Sequence, residues 1–226
     1  MSEFSLGAKA RTLRQLNSKN KMEIPKYGHV DAFSIIVDIN GFTSMVARSD
    51  GNLIADFVRD TLAGAISAIE KCDGNVVGIM GDAVFGVLPD VDHAAGACFL
   101  IAKDVNDVCE YLARAPGWEY ASPGPTIKIG IELGWLNVSE ISTSAMGNMP
   151  FLIGPATNYA ARILEVGEGN RCHVGPAAAA AGFDKYQLGP LQYAPGKKGE
   201  APYQYRQLDL SDIWIEGTPE DGIYYW

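Results

Sequence analysis

No apolar run in this chain of 226 residues approaches the roughly 20 residues needed to span a bilayer, so no membrane span is expected. The N-terminus lacks the long apolar core of a secretory signal, which predicts a cytoplasmic protein. Cys72, Cys98, Cys109 and Cys172 are scattered without a Cys-x-x-Cys pair, as buried thiols in a reducing compartment would be. Positive charge is scarce: 18 Lys and Arg stand against 27 Asp and Glu, a net charge of −9. That balance argues against broad, sequence-independent nucleic-acid binding, which needs a basic footprint. The Gly-x-x-x-x-Gly-Lys-Ser/Thr phosphate loop is also missing, so the chain is not a P-loop nucleotidase. What is present, 47% hydrophobic and 20% charged residues, describes an ordinary globular protein of one domain.

The charge is unevenly spread. Residues 1–27 hold Lys9, Arg11, Arg14, Lys19, Lys21 and Lys26 against Glu3 and Glu23, a local +4 that leaves −13 for the rest. This basic arm reads as solvated or as a clasp on an acidic partner surface. Residues 209–226 form an acidic, aromatic tail with no base, ending in Ile-Tyr-Tyr-Trp. The body between them, residues 28–208, alternates its elements. Ala32 to Asp38 reads as a buried strand ending on an acid, and Ile54 to Cys72 as an amphipathic helix stopped by Asp73-Gly74. Asn75 to Met80 and Ala83 to Leu88 read as a hairpin with Gly81-Asp82 at its tip. Asp92 to Leu112 is expected to be helical, ended by Ala115-Pro116-Gly117, and Thr126 to Leu136 a strand. Ile153 to Val166 is expected to form a further helix, His173-Val174 and Tyr186 to Leu188 short edge strands, and Tyr203 to Leu208 a closing strand. The sum is an α+β or α/β sandwich.

Two acids stand out. Asp38 ends a buried strand and Asp82 sits on a hairpin tip, and each alone reads equally as a cap or turn former. On neighbouring strands they would offer oxygen ligands to Mg²⁺ or Mn²⁺, cations that favour carboxylates combined with substrate phosphates. The Ile39-Asn40-Gly41-Phe42-Thr43 segment, at a loop-to-helix junction, would present backbone N–H groups to phosphate. Asn158 and Arg162 lie one helical turn apart and would share a face; they read as a functional or a merely surface polar pair. Lys197-Lys198 beside glycine reads as an anion grip or as a solvated turn. His29, His93 and His173 are isolated and read as structural or surface residues.

The strings VDINGFTSM, GIMGDAVFGV and GPATNYAARI, followed by GKKGE, resemble in order and spacing the catalytic core of class III nucleotidyl cyclases, over residues 30–207. The resemblance implies a single-domain α+β fold, a ferredoxin-like βαββαβ sandwich. It implies two divalent metal ions, Mn²⁺ or Mg²⁺, held by Asp38, Asp82 and the Ile39 carbonyl. Asn158 would orient the ribose, Arg162 would stabilise the pentavalent phosphorus, and Lys198 would grip the terminal phosphates, with Phe42 and Thr43 beside the substrate. It also implies a nucleoside triphosphate substrate and a head-to-tail homodimer whose sites are shared between copies.

Purine cyclases of this family read the base with two side chains, Lys and Asp for adenine, Glu and a small residue such as Cys for guanine. The corresponding positions here are Gly78 and Phe151, and neither pattern is present. A site without its polar readers loses purine selectivity. The chain also resembles the stand-alone pyrimidine cyclases of bacterial antiphage (Pycsar) systems, which make cyclic UMP or cyclic CMP for a separate effector. UTP is the expected substrate ahead of CTP, with Asn148, Thr43 and Asn75 candidates for positions near the base. The rival readings are an adenylate or guanylate cyclase with unusual base readers, and a catalytically inactive sensor that binds nucleotide. A diguanylate cyclase is disfavoured because no GGDEF or GGEEF string occurs.

Overall fold

A computed structural model describes residues 21–46, 51–112, 114, 126–144, 147–167 and 169–210. Its elements, in chain order, are β1 (Gly28–Asn40), α1 (Phe42–Val46), α2 (Gly51–Lys71), β2 (Asn75–Met80), β3 (Ala83–Leu88), α3 (Val91–Leu112), β4 (Thr126–Thr143), β5 (Gly147–Ile153), α4 (Pro155–Glu165), β6 (Arg171–Val174), α5 (Pro176–Ala180), β7 (Gln192–Ala194) and β8 (Tyr203–Asp209). A short 3₁₀ turn covers Phe183–Tyr186. The strands form one sheet in the order β2-β3-β1-β4-β6-β8-β7, with β5 paired to β4 beyond that path. Because β3 inserts antiparallel between β2 and β1, and β4 runs antiparallel on the other side of β1, the first half has the split arrangement expected of a βαββαβ sandwich.

Strand alternation sorts the side chains of β1, β3 and β4 to two faces. Phe33, Ile35 and Val37 of β1 and Ile127, Ile129 and Ile131 of β4 join Ala65, Ala68 and Ile69 of α2 and Cys98, Phe99 and Ile101 of α3 in the main core. On the opposite face Ala32 and Ile36 meet Phe85, Val87, Leu136 and Val138 beneath Ala156, Ala160 and Leu164 of α4. Gly130 sets how close α4 lies: a Cβ there would stand 2.3 Å from the Ala160 carbonyl oxygen. Glu132, buried on the same strand face, accepts a hydrogen bond from the Ala178 amide at 2.8 Å and so ties β4 to the start of α5. His173 is buried between the Ile129 carbonyl (3.2 Å) and Gln207 (3.3 Å); burial, ahead of the nearby Lys128 and Arg171, pushes its imidazole down to about 4. It is a structural histidine held neutral.

Several expectations need correction. Tyr186 to Leu188 is no strand: Gln187 adopts φ +59°, and the Lys185 and Gln187 amides close local turns onto Gly182 and Asp184. His173-Val174 belongs to β6, an interior strand between β4 and β8. Strand β4 runs on to Thr143, and β5 precedes α4, so Ile153 ends a strand where a helix start was expected. The end of the basic arm packs on its own domain. Met22 and Ile24 join the core under α4, and Lys26 pairs with Glu140 at 3.3 Å. Residues 1–20, the Ala115-Pro116-Gly117 helix stop, the Asn148 side chain and the tail from residue 211 lie outside the described residues.

Candidate functional site

Asp38 closes the inner part of β1, where desolvation is incomplete, and pairs across the ladder with Ala83, the first residue after the β2–β3 turn. Gly81 makes that turn at φ +64°, a conformation glycine adopts without the Cβ clash, and so carries Asp82 to the same end of the sheet. The two carboxylates are close enough to interact. Burial pushes the Asp38 carboxyl up, Lys128 pulls it down, Asp82 pushes it up again, and the Ile39 amide donates a hydrogen bond to it.

Lys128 is the site residue that the sequence patterns did not single out. It stands directly opposite Asp38 in the β1–β4 register, with Nζ 3.3 Å from Oδ2. The next register positions continue the charge row, Lys128 to Arg171 on β6 and Arg171 to Asp209 on β8, where Arg171 forms an ion pair with Asp209. The carboxylates of Asp38 and Asp82 are oxygen donors of the kind a hard divalent cation takes when substrate phosphates complete its shell; among the described residues no group of three or more His, Cys, Asp or Glu gathers at one point. Phe42 is half-buried against Ile39, Met45, Ile54 and Phe57, so its ring serves packing. Thr43 is exposed on α1.

A second group gathers on α4 and the β7–β8 connection. Pro155 at the first helical position and the buried Ala156, Ala160, Ile163 and Leu164 fix the inner face of α4, which leaves Asn158 exposed on the outer one. Arg162 reaches Glu165 at 3.2 Å and Glu200 at 3.8 Å. Its Nε is buried without a hydrogen-bond partner among the described residues. Lys197 reaches Glu165 at 3.6 Å, and Glu200 takes the Lys197 amide at 3.1 Å, so the exposed Lys198 sits on a turn braced against α4. The aspartates and the α4 group are therefore held by different partners: Asp38 by Lys128, Arg162 by Glu165 and Glu200.

Between β2 and β5 opens an apolar cavity of about 550 Å³, lined by Gly78, Met80, Phe85, Ile141, Phe151 and Thr157 among others. Gly78 and Phe151, singled out separately in the sequence, thus share one cavity, and Met80 on its wall leads directly into Gly81 and Asp82. Asn75 lies outside it. Its side chain donates to the Met22 carbonyl at 2.7 Å and lines a neighbouring cavity with Ile24, Lys26 and Glu140. Met80, Ile141, Phe151 and Ile153, all on the cavity wall, are also exposed.

Solved structures share this fold. The guanylyl cyclase Cya2 superposes with a TM-score of 0.67 at 13% identity, over 84% of this chain and 98% of that one. The adenylyl cyclase CyaB from P. aeruginosa gives 0.67 at 17% identity, over 82% and 97%. The catalytic core of a rhodopsin-guanylyl cyclase with converted specificity, in complex with ATPαS, gives 0.64 at 17% identity, over 83% and 100%. The fold is that of class III cyclase catalytic domains. It is a mixed α+β single domain, as the sequence strings led us to expect, and none of its described helices is long and apolar enough to cross a membrane. No protein-family model matches the sequence, and no curated protein matches it.

Proposed function

We propose that the chain is a nucleotidyl cyclase that converts a pyrimidine nucleoside triphosphate, UTP ahead of CTP, to its 3′,5′-cyclic monophosphate and pyrophosphate. The observation that carries the base assignment is the shared cavity. Its two expected reader positions are Gly78, with no side chain, and Phe151, an apolar ring, and the wall around them is apolar. A purine would find neither of the two side chains that read it in the purine cyclases, and Phe151 offers a stacking face to a smaller base.

In this reading Asp38, Asp82 and the Ile39 carbonyl hold two divalent cations, Mn²⁺ or Mg²⁺. Bound there, such ions lower the pKa of the 3′-hydroxyl and neutralise the phosphates. The ribose 3′-oxygen forms a bond to the α-phosphorus, the bond to the β-phosphate bridging oxygen breaks, pyrophosphate leaves, and the hydroxyl proton goes to solvent. Asn158 positions the ribose, Arg162 faces the charge that builds on the phosphorus, and Lys198 holds the terminal phosphates. Lys128 adds a cation on the aspartate side. Asp38 and Arg162 are engaged with different neighbours, and Met80, Ile141, Phe151 and Ile153 around the cavity leave apolar surface exposed that suits association. Both features support a homodimer in which the aspartates of one copy face the α4 group of the other. The resemblance to stand-alone pyrimidine cyclases supports a second-messenger role in bacterial antiphage defence, with the product read by a separate effector.

The test is incubation of the purified protein with ATP, GTP, CTP and UTP, each with Mn²⁺, and separation of the products. Cyclic UMP as the main product is expected. Turnover of ATP or GTP alone would refute the base assignment, and no product from any of the four would favour the sensor reading.

A further inference from the structure

The Lys128–Asp38 pair sits within the site and competes with what that site is proposed to bind. Both side chains are largely withdrawn from water, with relative exposures of 14% for Lys128 and 25% for Asp38. The register fixes their backbones opposite each other, so the contact costs little further ordering. Asp38 stands across the ladder from Ala83, next to Asp82, so two like charges share one end of the sheet, and the ammonium beside Asp38 offsets their repulsion. A divalent cation arriving between them performs the same task with twice the charge, and it repels the ammonium at close range. The side chain has no favourable retreat along the sheet, because the next register position holds Arg171, a like charge secured by Asp209.

We infer that Lys128 is a resident counter-cation of the carboxylate pair that an incoming divalent cation must displace, so that Lys128 sets how tightly the nucleotide-free protein holds that cation. The inference rests on the reading of Asp38 and Asp82 as the cation site. It makes the ion pair a brace for the empty site: the fold is kept stable without metal, and metal uptake is weakened until an anionic ligand gives the ammonium a new partner.

The experiment measures Mn²⁺ binding to the full chain without nucleotide, from loss of the free aquo-Mn²⁺ resonance signal, together with Tm in EDTA and in Mn²⁺. Lys128→Met is expected to bind Mn²⁺ at least tenfold more tightly than the wild type, with Tm in EDTA lower by about 2–4 °C and a larger rise on adding Mn²⁺. Lys128→Arg, which keeps the charge, is expected to stay near the wild type. Arg171→Met, which removes a nearby charge without touching Asp38, is expected to gain less than Lys128→Met. Equal or weaker Mn²⁺ binding by Lys128→Met, in a wild type that does bind, overturns the inference and leaves the cation site standing. An equal gain in Arg171→Met and Lys128→Met also overturns it, since a general field would then suffice. Absence of binding in every variant defeats both the inference and the cation-site reading. If Lys128→Met does not fold, Lys128→Gln carries the same comparison.

Discussion

The base assignment makes a demanding prediction at Gly78. A Cβ built there meets no heavy atom within 4 Å, and the backbone is outside the left-handed region, so a side chain can be added without displacing anything. Phe151, facing the same cavity, is 41% exposed, so its replacement removes little packing. Gly78→Lys together with Phe151→Asp would restore the adenine pattern of the purine cyclases. Gly78→Lys alone would place an ammonium against an apolar wall; the long stem of the new side chain lets the charge reach water, and the stability cost is expected to stay near ~1 kcal/mol. This single variant should lose UTP turnover, because the ammonium competes for the space beside the base, and should gain little with ATP. In the Gly78→Lys/Phe151→Asp double variant each new polar contact to adenine contributes about 1–3 kcal/mol. Two contacts, about 2–6 kcal/mol together, then move the ATP-to-UTP ratio of kcat/KM by roughly thirtyfold or more. The assay is steady-state kinetics on both substrates for the wild type, both single variants and the double variant, with Tm as a check on folding. If the folded double variant keeps the wild-type ratio, Gly78 and Phe151 do not read the base, and the pyrimidine argument falls with them.

Two further outcomes follow, one from the proposed shared homodimer site and one from burial. Asp82→Ala and Arg162→Ala are each expected to be inactive alone and to regain up to about a quarter of wild-type activity when mixed, since random pairing of shared sites restores one intact site in half of the dimers; a mixture that stays inactive while the dimer forms refutes shared sites. On stability, burial pushes the Asp104 carboxyl up to about 6, and its Oδ1 is buried without a hydrogen-bond partner among the described residues. The folded state then binds a proton that the unfolded state releases nearer pH ~4, so this group lowers stability as pH rises from about 4 to 6 and keeps it lowered above. Asp104→Asn should therefore gain about 1 kcal/mol at pH ~7.5, a value reduced for partial exposure, and only about a third of that at pH ~4.5. Urea titrations at the two pH values check this, and an equal gain at both would show that charge is not the cause.

Local signals were legible where a single stretch of chain carried them. The β2–β3 hairpin has the boundaries expected from its two apolar runs around Gly81-Asp82, and Gly154-Pro155 marks the true start of α4. Strand β5 was hidden because Phe151 to Ile153 is apolar and runs straight into the helical pattern, while its pairing partner, the far end of β4, lies earlier in the chain. His173-Val174 passed for an edge because so short a run says nothing about which strands flank it. Lys128 was missed for the same reason. In Thr-Ile-Lys-Ile-Gly-Ile it reads as an outward polar residue of an alternating strand, and only its register partner Asp38, far earlier in the chain, makes it part of a site.

That register also explains how a chain of net charge −9 can be suited to a triphosphate. The excess of acid is not repulsion to be overcome if two of the acids, Asp38 and Asp82, serve to gather cations at the place where the phosphates must lie. Fixed positive charge is then needed only at a few points, and most of it is engaged by other acids. Arg162 and Lys197 are braced by Glu165 and Glu200, and Arg171 by Asp209. Lys128 alone among these cations touches one of the pair, Asp38. If Arg162 belonged to the same half of the site as Asp38, the two would be free to neutralise each other in the empty protein, and neither would be available to metal or phosphorus. Placed on different elements and joined across two copies, as the proposed homodimer would have it, each charge set would stay competent, and association would be the step that brings them together.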